Sequence, residues 1–285
     1  KGLVANSDGS YGSYYNPALT NLSKGLNFDY SYSQSEGVKP SLNYYGISYS
    51  NEKFGSIGVS AYYFSKPLDD NPGFVEQRKH SYYDAIFTVN YSKEVIKDFY
   101  AGVNLGVYHF YQYYYWLTAN NPGGNFFIAD GVTLDLGLLK KFTLKTSANE
   151  QIFQLAASVT NFTNSKVVSD EGGFVNKEAL PVTFRIGGSH QLKIPDGVIK
   201  GVPYPVQFFT HFEYEKIINS EYYGTFKIGE ELSLWAILYL RAGYFNSKVE
   251  GNDGYFIGEF TYGAGLSIPV NKLLKTKNEL TLKID

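Results

Sequence analysis

The residues best able to do acid–base or metal chemistry are four histidines, His80, His109, His190 and His211. None stands in a metal-binding spacing such as H-E-x-x-H. No G-x-S-x-G turn presents a serine nucleophile. The chain contains no cysteine, which excludes disulfides, cysteine-ligated zinc, iron–sulfur clusters and thiol nucleophiles. The sequence therefore predicts no catalytic residue, no metal and no cofactor, and we expect the protein not to be an enzyme.

Isolated charges on otherwise neutral strand faces are the other candidates for chemistry. They are Asp29, Asp84, Asp135, Arg185, Glu213 and Arg241, with Glu215 and Lys227 in the same phase. An unpaired buried charge is costly, so we interpret this set as an internal network of ion pairs. An alternative is that Arg185 or Arg241 holds a carboxylate ligand by bidentate hydrogen bonds.

The composition indicates which elements must position these charges. The 285 residues include 27 Tyr, 21 Phe and 29 Gly, and only 18% of them are charged, against about 25% in a typical soluble domain. No apolar run approaches the ~18 residues of a transmembrane helix. The net charge of −2 provides no basic surface for nucleic acid. An aromatic, glycine-rich, weakly charged chain without helical spans is typical of an outer-membrane β-barrel.

Side chains alternate with a period of two residues along most of the chain. In the first segment, apolar Leu26, Phe28, Tyr30 and Tyr32 alternate with polar Asn27, Asp29, Ser31 and Ser33. About 13 such segments follow one another, as in a barrel with lipid-facing and lumen-facing residues. Bacterial single-chain barrels have an even number of strands, so we expect about 14, with the closing strand beyond Asp285. The alternative is a soluble sheet protein, whose apolar faces would need a very large core.

The pattern also predicts several details. Residues 233–242 form one strand, with Trp235 inside and Leu238 outside. Leu134, Leu238 and Leu266 lie at mid-membrane depth. His109 and His190 are in phase with the lipid-facing residues, near an interface. Small residues such as Gly263 and Gly265 allow close approach of the N-terminal segment or of a neighbouring strand.

The chain divides into an N-terminal hatch-like segment, residues 1–22, and a transmembrane barrel, residues 23–285. Pro17 biases Asn16 towards an extended conformation, which helps the chain turn from the segment into the first strand. Residues 66–79 and 164–180 are expected to be long loops. Their apolar tips are candidate partner-binding sites, at Phe74, Val75, Phe174 and Val175.

Short motifs carry a family resemblance. Val4–Asp8 and Ser13–Leu19 resemble the end of the N-terminal hatch of FadL-type outer-membrane proteins, in which YYNPAGL precedes the first strand. Here Leu19 replaces the glycine of that motif. Further echoes make the chain most similar to the PorV/PorQ branch, known from Bacteroidota and associated with type IX secretion. They lie at Ala157–Phe162, Leu180–Gly187, Leu240–Tyr244 and Gly263–Leu266.

The resemblance implies a 14-stranded barrel with a hatch inside, and hatch residues at Asp8, Tyr15, Asn16, Pro17 and Ala18. It also implies a location in the bacterial outer membrane. A PorV/PorQ-like protein would be an accessory or docking subunit of a protein export or assembly machine. Its partners would be membrane lipid, lipopolysaccharide and other outer-membrane proteins, and not nucleic acid. The alternative implied by FadL is a channel for hydrophobic solutes such as long-chain fatty acids, with a hydrophobic ligand in the lumen.

Overall fold

The structure is a computed structural model. It describes residue 5 and residues 10–34, 41–66, 77–118, 121–164, 166–171, 174–195, 205–218, 224–235, 237–248, 256–269 and 281–284. Two short 3₁₀ helices, Ser10–Tyr14 and Pro17–Leu22, precede the first strand. None of the described helices is long and apolar enough to cross a membrane.

Fifteen strands make up nearly all of the rest of the described chain. They are β1 (Gly25–Gln34), β2 (Ser41–Asn51), β3 (Gly55–Lys66), β4 (Gln77–Ile96), β5 (Phe99–Thr118), β6 (Asn121–Lys145), β7 (Glu150–Thr160), β8 (Lys166–Glu171), β9 (Phe174–Ala179), β10 (Val182–Ile194), β11 (Val206–Ile218), β12 (Gly224–Leu234), β13 (Leu238–Lys248), β14 (Phe256–Pro269) and β15 (Thr281–Ile284). The all-β prediction is confirmed.

The strands form one antiparallel sheet in which almost every strand pairs with its neighbours in sequence. The order runs from β1 to β7, then β10 to β15. The exception is the hairpin β8–β9, which attaches to the far part of β6 through residues 128–130. Leaving out that hairpin, thirteen strands follow one another along the described path. Hairpin connections between sequential strands explain this simple order.

The burial of apolar and polar side chains on the two faces of the sheet is the opposite of that in a soluble protein. Large apolar side chains on one face are exposed; for example, Phe28 is 61% exposed and Leu105 is 58% exposed. Small polar side chains on the other face are buried, and these include Ser48, Ser56, Asn90, Asn104, Thr133, Ser158, Thr183 and Ser233. We call these the outer and the inner face. The alternation predicted from the sequence is therefore present, with its apolar set pointing outwards.

The strands are tilted, as the stagger of successive turns shows. At the β4–β5 turn Phe99 pairs with Lys140, but β6 continues for five residues beyond Lys140, to Lys145. The residue pairs across β7, β10 and β11 lead from Lys145 to Ser233 on β12, and the β12–β13 turn begins one residue later, after Leu234. This turn is therefore displaced by six residues along the strands from the β4–β5 turn, which is six strand spacings away. With ~3.3 Å per residue and ~4.8 Å between strands, six residues over six strands is a tilt of ~35°. Strands in barrels tilt by about 35–45°.

The sheet is also strongly curved. The ring of Tyr14, from the first 3₁₀ helix, lies 4.1 Å from the ring of Tyr62 on β3. The guanidinium carbon of Arg185 on β10 lies 6.0 Å from the same ring. In a flat sheet β3 and β10 would be about 24 Å apart, since five strand spacings of ~4.8 Å separate them. One tyrosine ring contacts both, so the sheet curls around the N-terminal segment.

Three expectations about local structure are wrong. Residues 166–179, predicted to lie in a loop, form the hairpin β8–β9, in which Phe174 begins β9 opposite Glu171. The Asn, Pro and Gly residues of 118–125 also predict a loop, but β6 already begins at Asn121. The predicted strand 233–242 is broken by a turn after Leu234, where Trp235 has φ +55° and is exposed rather than inside.

The turn at Trp235 has a clear physical cause. The Ile237 N–H donates to the carbonyl of Leu234 at 3.0 Å, which reverses the chain. An uninterrupted run of alternating residues hides such a turn, because the apolar phase continues through it. As a result Leu238 is the first residue of β13 and pairs with Leu266 beside the turn, not at the middle of the strands as predicted.

Candidate functional site

The most organised group of polar side chains surrounds the N-terminal segment, here residue 5 and residues 10–24. Asn16 caps the second 3₁₀ helix: its side-chain oxygen accepts from the Ala18 N–H at 3.0 Å, and its backbone is extended, with φ −158°. The extended conformation expected from Pro17 is thus confirmed. The Asn16 amide also donates to the carbonyl of Leu138 on β6 at 3.0 Å. Asn16, Pro17, Ala18, Leu19 and Thr20 are all buried.

A chain of hydrogen bonds joins this segment to three adjacent strands. The Thr20 hydroxyl donates to the side-chain oxygen of Asn90 on β4 at 2.6 Å. The Asn90 amide donates to Asn104 on β5 at 2.8 Å, and the Asn104 amide donates to the Asp135 carboxylate on β6 at 3.0 Å. Asp135 also accepts from the Asn161 N–H at 2.8 Å. Asp135 is therefore an anchor for neutral donors, and the sequence did not assign it that role.

Backbone carbonyls of the segment are bound by further inner-face side chains. Asn104 donates to the carbonyl of Ser13 at 2.9 Å, and Asn90 donates to that of Pro17 at 3.2 Å. On the opposite side, Ser158 on β7 donates to the carbonyl of Tyr15 at 2.6 Å. Ser189 on β10 reaches the carbonyl of Ala5 at 3.3 Å. These bonds tie backbone carbonyls of the segment to the inner face of the sheet, where backbone groups removed from water need such partners.

Two glycines make room for the segment. A Cβ at Gly102 on β5 would overlap the backbone of Pro17 and Ala18, and a Cβ at Gly137 on β6 would overlap the side chain of Asn16. The sequence prediction placed this role, or close approach of a neighbouring strand, at Gly263. It is wrong for the N-terminal segment, because a Cβ at Gly263 would meet none of the described atoms within 4 Å. Nothing in the alternation distinguishes a glycine under the segment from one in open space.

The charged residues of the inner face form a ladder on β10, β11 and β12. Arg185 donates to Glu215 at 2.7 Å, directly across the strand pair. Lys227 reaches both Glu215, at 3.0 Å, and Glu213, at 2.8 Å. Glu213 is 0% exposed. Two bases thus balance two acids, which is how buried charges are tolerated.

The other predicted charges have separate partners. Arg241 on β13 pairs with Glu231 on β12 at 2.5 Å, and its guanidinium lies 5.5 Å from the Tyr239 ring. Asp84 on β4 accepts from the Tyr108 hydroxyl at 2.7 Å. Asp29 is half-buried on β1, opposite Gly46. Glu231 was missed by the sequence reasoning, although its phase and its position across from Arg241 were the available signal.

Five of the predicted site residues cannot be placed in this arrangement. Asp8, Phe74 and Val75 lie outside the described residues. Phe174 and Val175 belong to β9, but their side chains lie outside the part of the molecule that the structure describes. Among the residues that the structure describes, no group of three or more His, Asp or Glu side chains could hold a metal ion.

Nη1 of Arg185 is a buried polar atom at this site. Among the residues that the structure describes, it has no hydrogen-bond partner, although the side chain pairs with Glu215 through Nε. The Tyr14 ring covers the guanidinium, and a cation over an aromatic face is attracted by the ring quadrupole.

Comparison of the chain with family models and with curated proteins gave no match.

Proposed function

We propose that the protein is an integral β-barrel of the bacterial outer membrane. The observation that carries the proposal is the reversed burial, with exposed Phe, Leu, Ile and Val on the outer face and buried Ser, Asn and Thr on the inner face. Exposed apolar surface on this scale is expected only where lipid or protein covers it. A closed barrel is the sheet that satisfies every backbone group within hydrocarbon.

The height of the apolar band supports membrane insertion. On β6 the outward positions from Val132 to Leu138 are aliphatic, and they are bracketed by Asp130 and Lys140. The ten residue steps from Asp130 to Lys140, at ~3.3 Å each, separate these two charges by about 33 Å along the strand, or about 27 Å across the membrane at a tilt of ~35°. The apolar band of outer-membrane barrels is about 25 Å tall.

Closure as a barrel of 14 strands agrees with the direction of the strands. All pairs along the described path are antiparallel. With thirteen strands in the path, β1 and β15 run in the same direction. One more strand between them would complete antiparallel pairing all the way round, which is the even number typical of bacterial barrels.

We further propose that the barrel is an accessory or docking subunit of an outer-membrane export or assembly machine. A docking subunit needs a filled interior, and here the N-terminal segment is hydrogen-bonded to β4, β5, β6, β7 and β10. The charges on β10–β12 are paired with each other, so their attraction for a dissolved ion is weak. Other outer-membrane proteins would be the partners, and the surrounding lipid and lipopolysaccharide would contact the outer face.

One observation favours a second candidate, a FadL-like channel for hydrophobic solutes. Within the described part of the chain, the buried Nη1 of Arg185 has no hydrogen bond, and a fatty-acid carboxylate would supply one. The Tyr62 ring contacts those of Tyr14 and Tyr44, and the three rings would line an aromatic path. In this candidate the N-terminal segment moves to let the solute reach Arg185.

Purification in mild detergent followed by reconstitution separates the two candidates. Native gel electrophoresis of gently solubilised membranes measures whether the protein migrates as a larger complex. Uptake of a fluorescent long-chain fatty acid into liposomes containing the purified protein measures transport. The docking proposal expects a larger complex and uptake equal to that of empty liposomes. A stoichiometric fatty acid in the purified protein, with uptake above the empty liposomes and no larger complex, would contradict it.

A further inference from the structure

A second organised cluster lies on the outer face, on the side of the sheet opposite to the N-terminal segment. Its base is three tyrosines on adjacent strands, Tyr63 on β3, Tyr83 on β4 and Tyr111 on β5. The ring centroids of Tyr63 and Tyr83 are 5.7 Å apart, and those of Tyr83 and Tyr111 are 5.2 Å apart with nearly parallel planes. Ala85, in the outward phase between them, is buried. The rings therefore form a packed platform.

A polar chain borders this platform. Nε2 of His109 lies 3.3 Å from the Tyr83 hydroxyl, and Nδ1 of His109 lies 2.5 Å from the Asp130 carboxylate. The Asp130 side chain is 64% exposed and that of His109 is 34% exposed. Exposed ion pairs add little stability, so folding alone does not explain this order. Groups that are already oriented for a ligand reduce the ordering cost of binding it.

The cluster lies at one end of the apolar band. Below it on the same strands, the outward residues are aliphatic or phenyl: Phe87 and Val89 on β4, Leu105 and Val107 on β5, and Val132 on β6. The end of the band that bears the cluster is opposite to the turns beside Lys145 and Leu234. Tyrosines of membrane proteins concentrate at this boundary between hydrocarbon and headgroups. The inference that follows rests on the proposed insertion in a membrane.

We propose that Tyr63, Tyr83, Tyr111, His109 and Asp130 form a binding site for the sugar headgroup of a glycolipid. A carboxylate accepts hydrogen bonds from hydroxyl or ammonium groups, and it repels a phosphate, which makes the headgroup of an anionic phospholipid a poor ligand. Tyrosine rings present an apolar face with a polar edge, which suits the C–H face of a sugar ring. The acyl chains of the same lipid would lie along Phe87, Val89 and Leu105.

Lipid nanodiscs and native mass spectrometry test the site with the full chain. One set of phosphatidylcholine nanodiscs contains a diacylglycerol glucoside, and a matched set contains phosphatidylglycerol. We expect the wild-type protein to retain the glucoside at least about tenfold more than phosphatidylglycerol. D130N, which keeps the size of the side chain but removes its charge, should lose that preference. Tyr91→Leu, at the other end of the band on β4, should keep it.

Three outcomes would overturn the proposal. Equal retention of both lipids would show ordinary annular contact. If D130N keeps the preference for the glucoside over phosphatidylglycerol, the Asp130 carboxylate is not part of the site. If free methyl glucoside displaces the glucoside lipid and binds as tightly as the lipid does, the site binds soluble sugars instead. Protease protection of the strands in the same nanodiscs is measured separately. A protein that is protected but retains no glucoside loses only this site, whereas an unprotected protein loses the membrane proposal itself.

Discussion

Ser158 donates a hydrogen bond of 2.6 Å to the backbone carbonyl of Tyr15, a residue 143 positions earlier in the chain. Ser158 lies on β7, while Thr20 of the same N-terminal segment is bonded to Asn90 on β4. The segment is thus fixed from two sides of a curved sheet. Removal of a single bond should loosen the segment, whereas removal of the space it occupies should displace it.

We expect G102A to displace the N-terminal segment, because a Cβ there would overlap the backbone of Pro17 and Ala18. Overpacking of this kind costs about 1–3 kcal/mol. The matched control is G263A on β14, where a Cβ meets open space. Limited proteolysis of the folded protein should cut residues 1–24 faster in G102A than in wild type or G263A. Equal rates in the two variants would mean that the segment does not pack at Gly102.

Asn16→Ala should weaken the same segment more mildly. The substitution removes the cap on the Ala18 N–H and the bond to the carbonyl of Leu138. Loss of a capping side chain typically costs about 0.5–2 kcal/mol. Hydrogen exchange of residues 17–22 should become faster while the β11–β13 amides keep their protection. Faster exchange throughout the sheet would show instead that the segment supports the whole fold.

Lys227→Met should strongly destabilise the sheet, because it removes the ammonium that pairs with Glu213, a fully buried carboxylate, and with Glu215. Loss of one partner of a buried pair costs about 3–5 kcal/mol. Lys145→Met is the control, since the Lys145 side chain is 70% exposed and its partner Glu150 keeps a second base, Lys193. There we expect about 0–1 kcal/mol.

Urea unfolding in detergent measures both lysine variants. The double variant K227M/E213Q should recover part of the loss, because the buried carboxylate is then neutral. Similar unfolding free energies for K227M and K145M would show that the ladder on β10–β12 is solvated.

Leu105→Arg tests the proposal that the outer face contacts lipid. Leu105 lies in the middle of the apolar band on β5, opposite Val89 and Leu134. Arginine near the bilayer midplane of a barrel costs about 2–4 kcal/mol, and close to the interface only about 0–1. Leu144→Arg, one residue from the end of β6, is the interfacial control. Unfolding of the two variants from lipid vesicles measures the difference, and equal costs would contradict the orientation of the band.

The strand periodicity could be read from the sequence because it is a local property. Side chains on a strand alternate between faces, so Phe28, Tyr30 and Tyr32 had to share one side whatever the rest of the chain did. Their exposure and the burial of Ser92 and Asn104 follow that phase. The alternation failed at Trp235, where the apolar phase continues through a turn, and at residues 166–179, where glycine and charge concealed a hairpin.

The sequence by itself determined the all-β class, the phase of the strands, the extended conformation of Asn16 before Pro17, and which charges could lie inside. The tertiary structure alone decided how those charges combine. Arg185, Glu215, Lys227 and Glu213 meet because of the register between β10, β11 and β12, and Asp135 meets Asn104 because β5 and β6 pair. Register depends on turn lengths and on contacts between distant residues, such as Tyr15 and Ser158. These are non-local and leave no periodic trace in the chain.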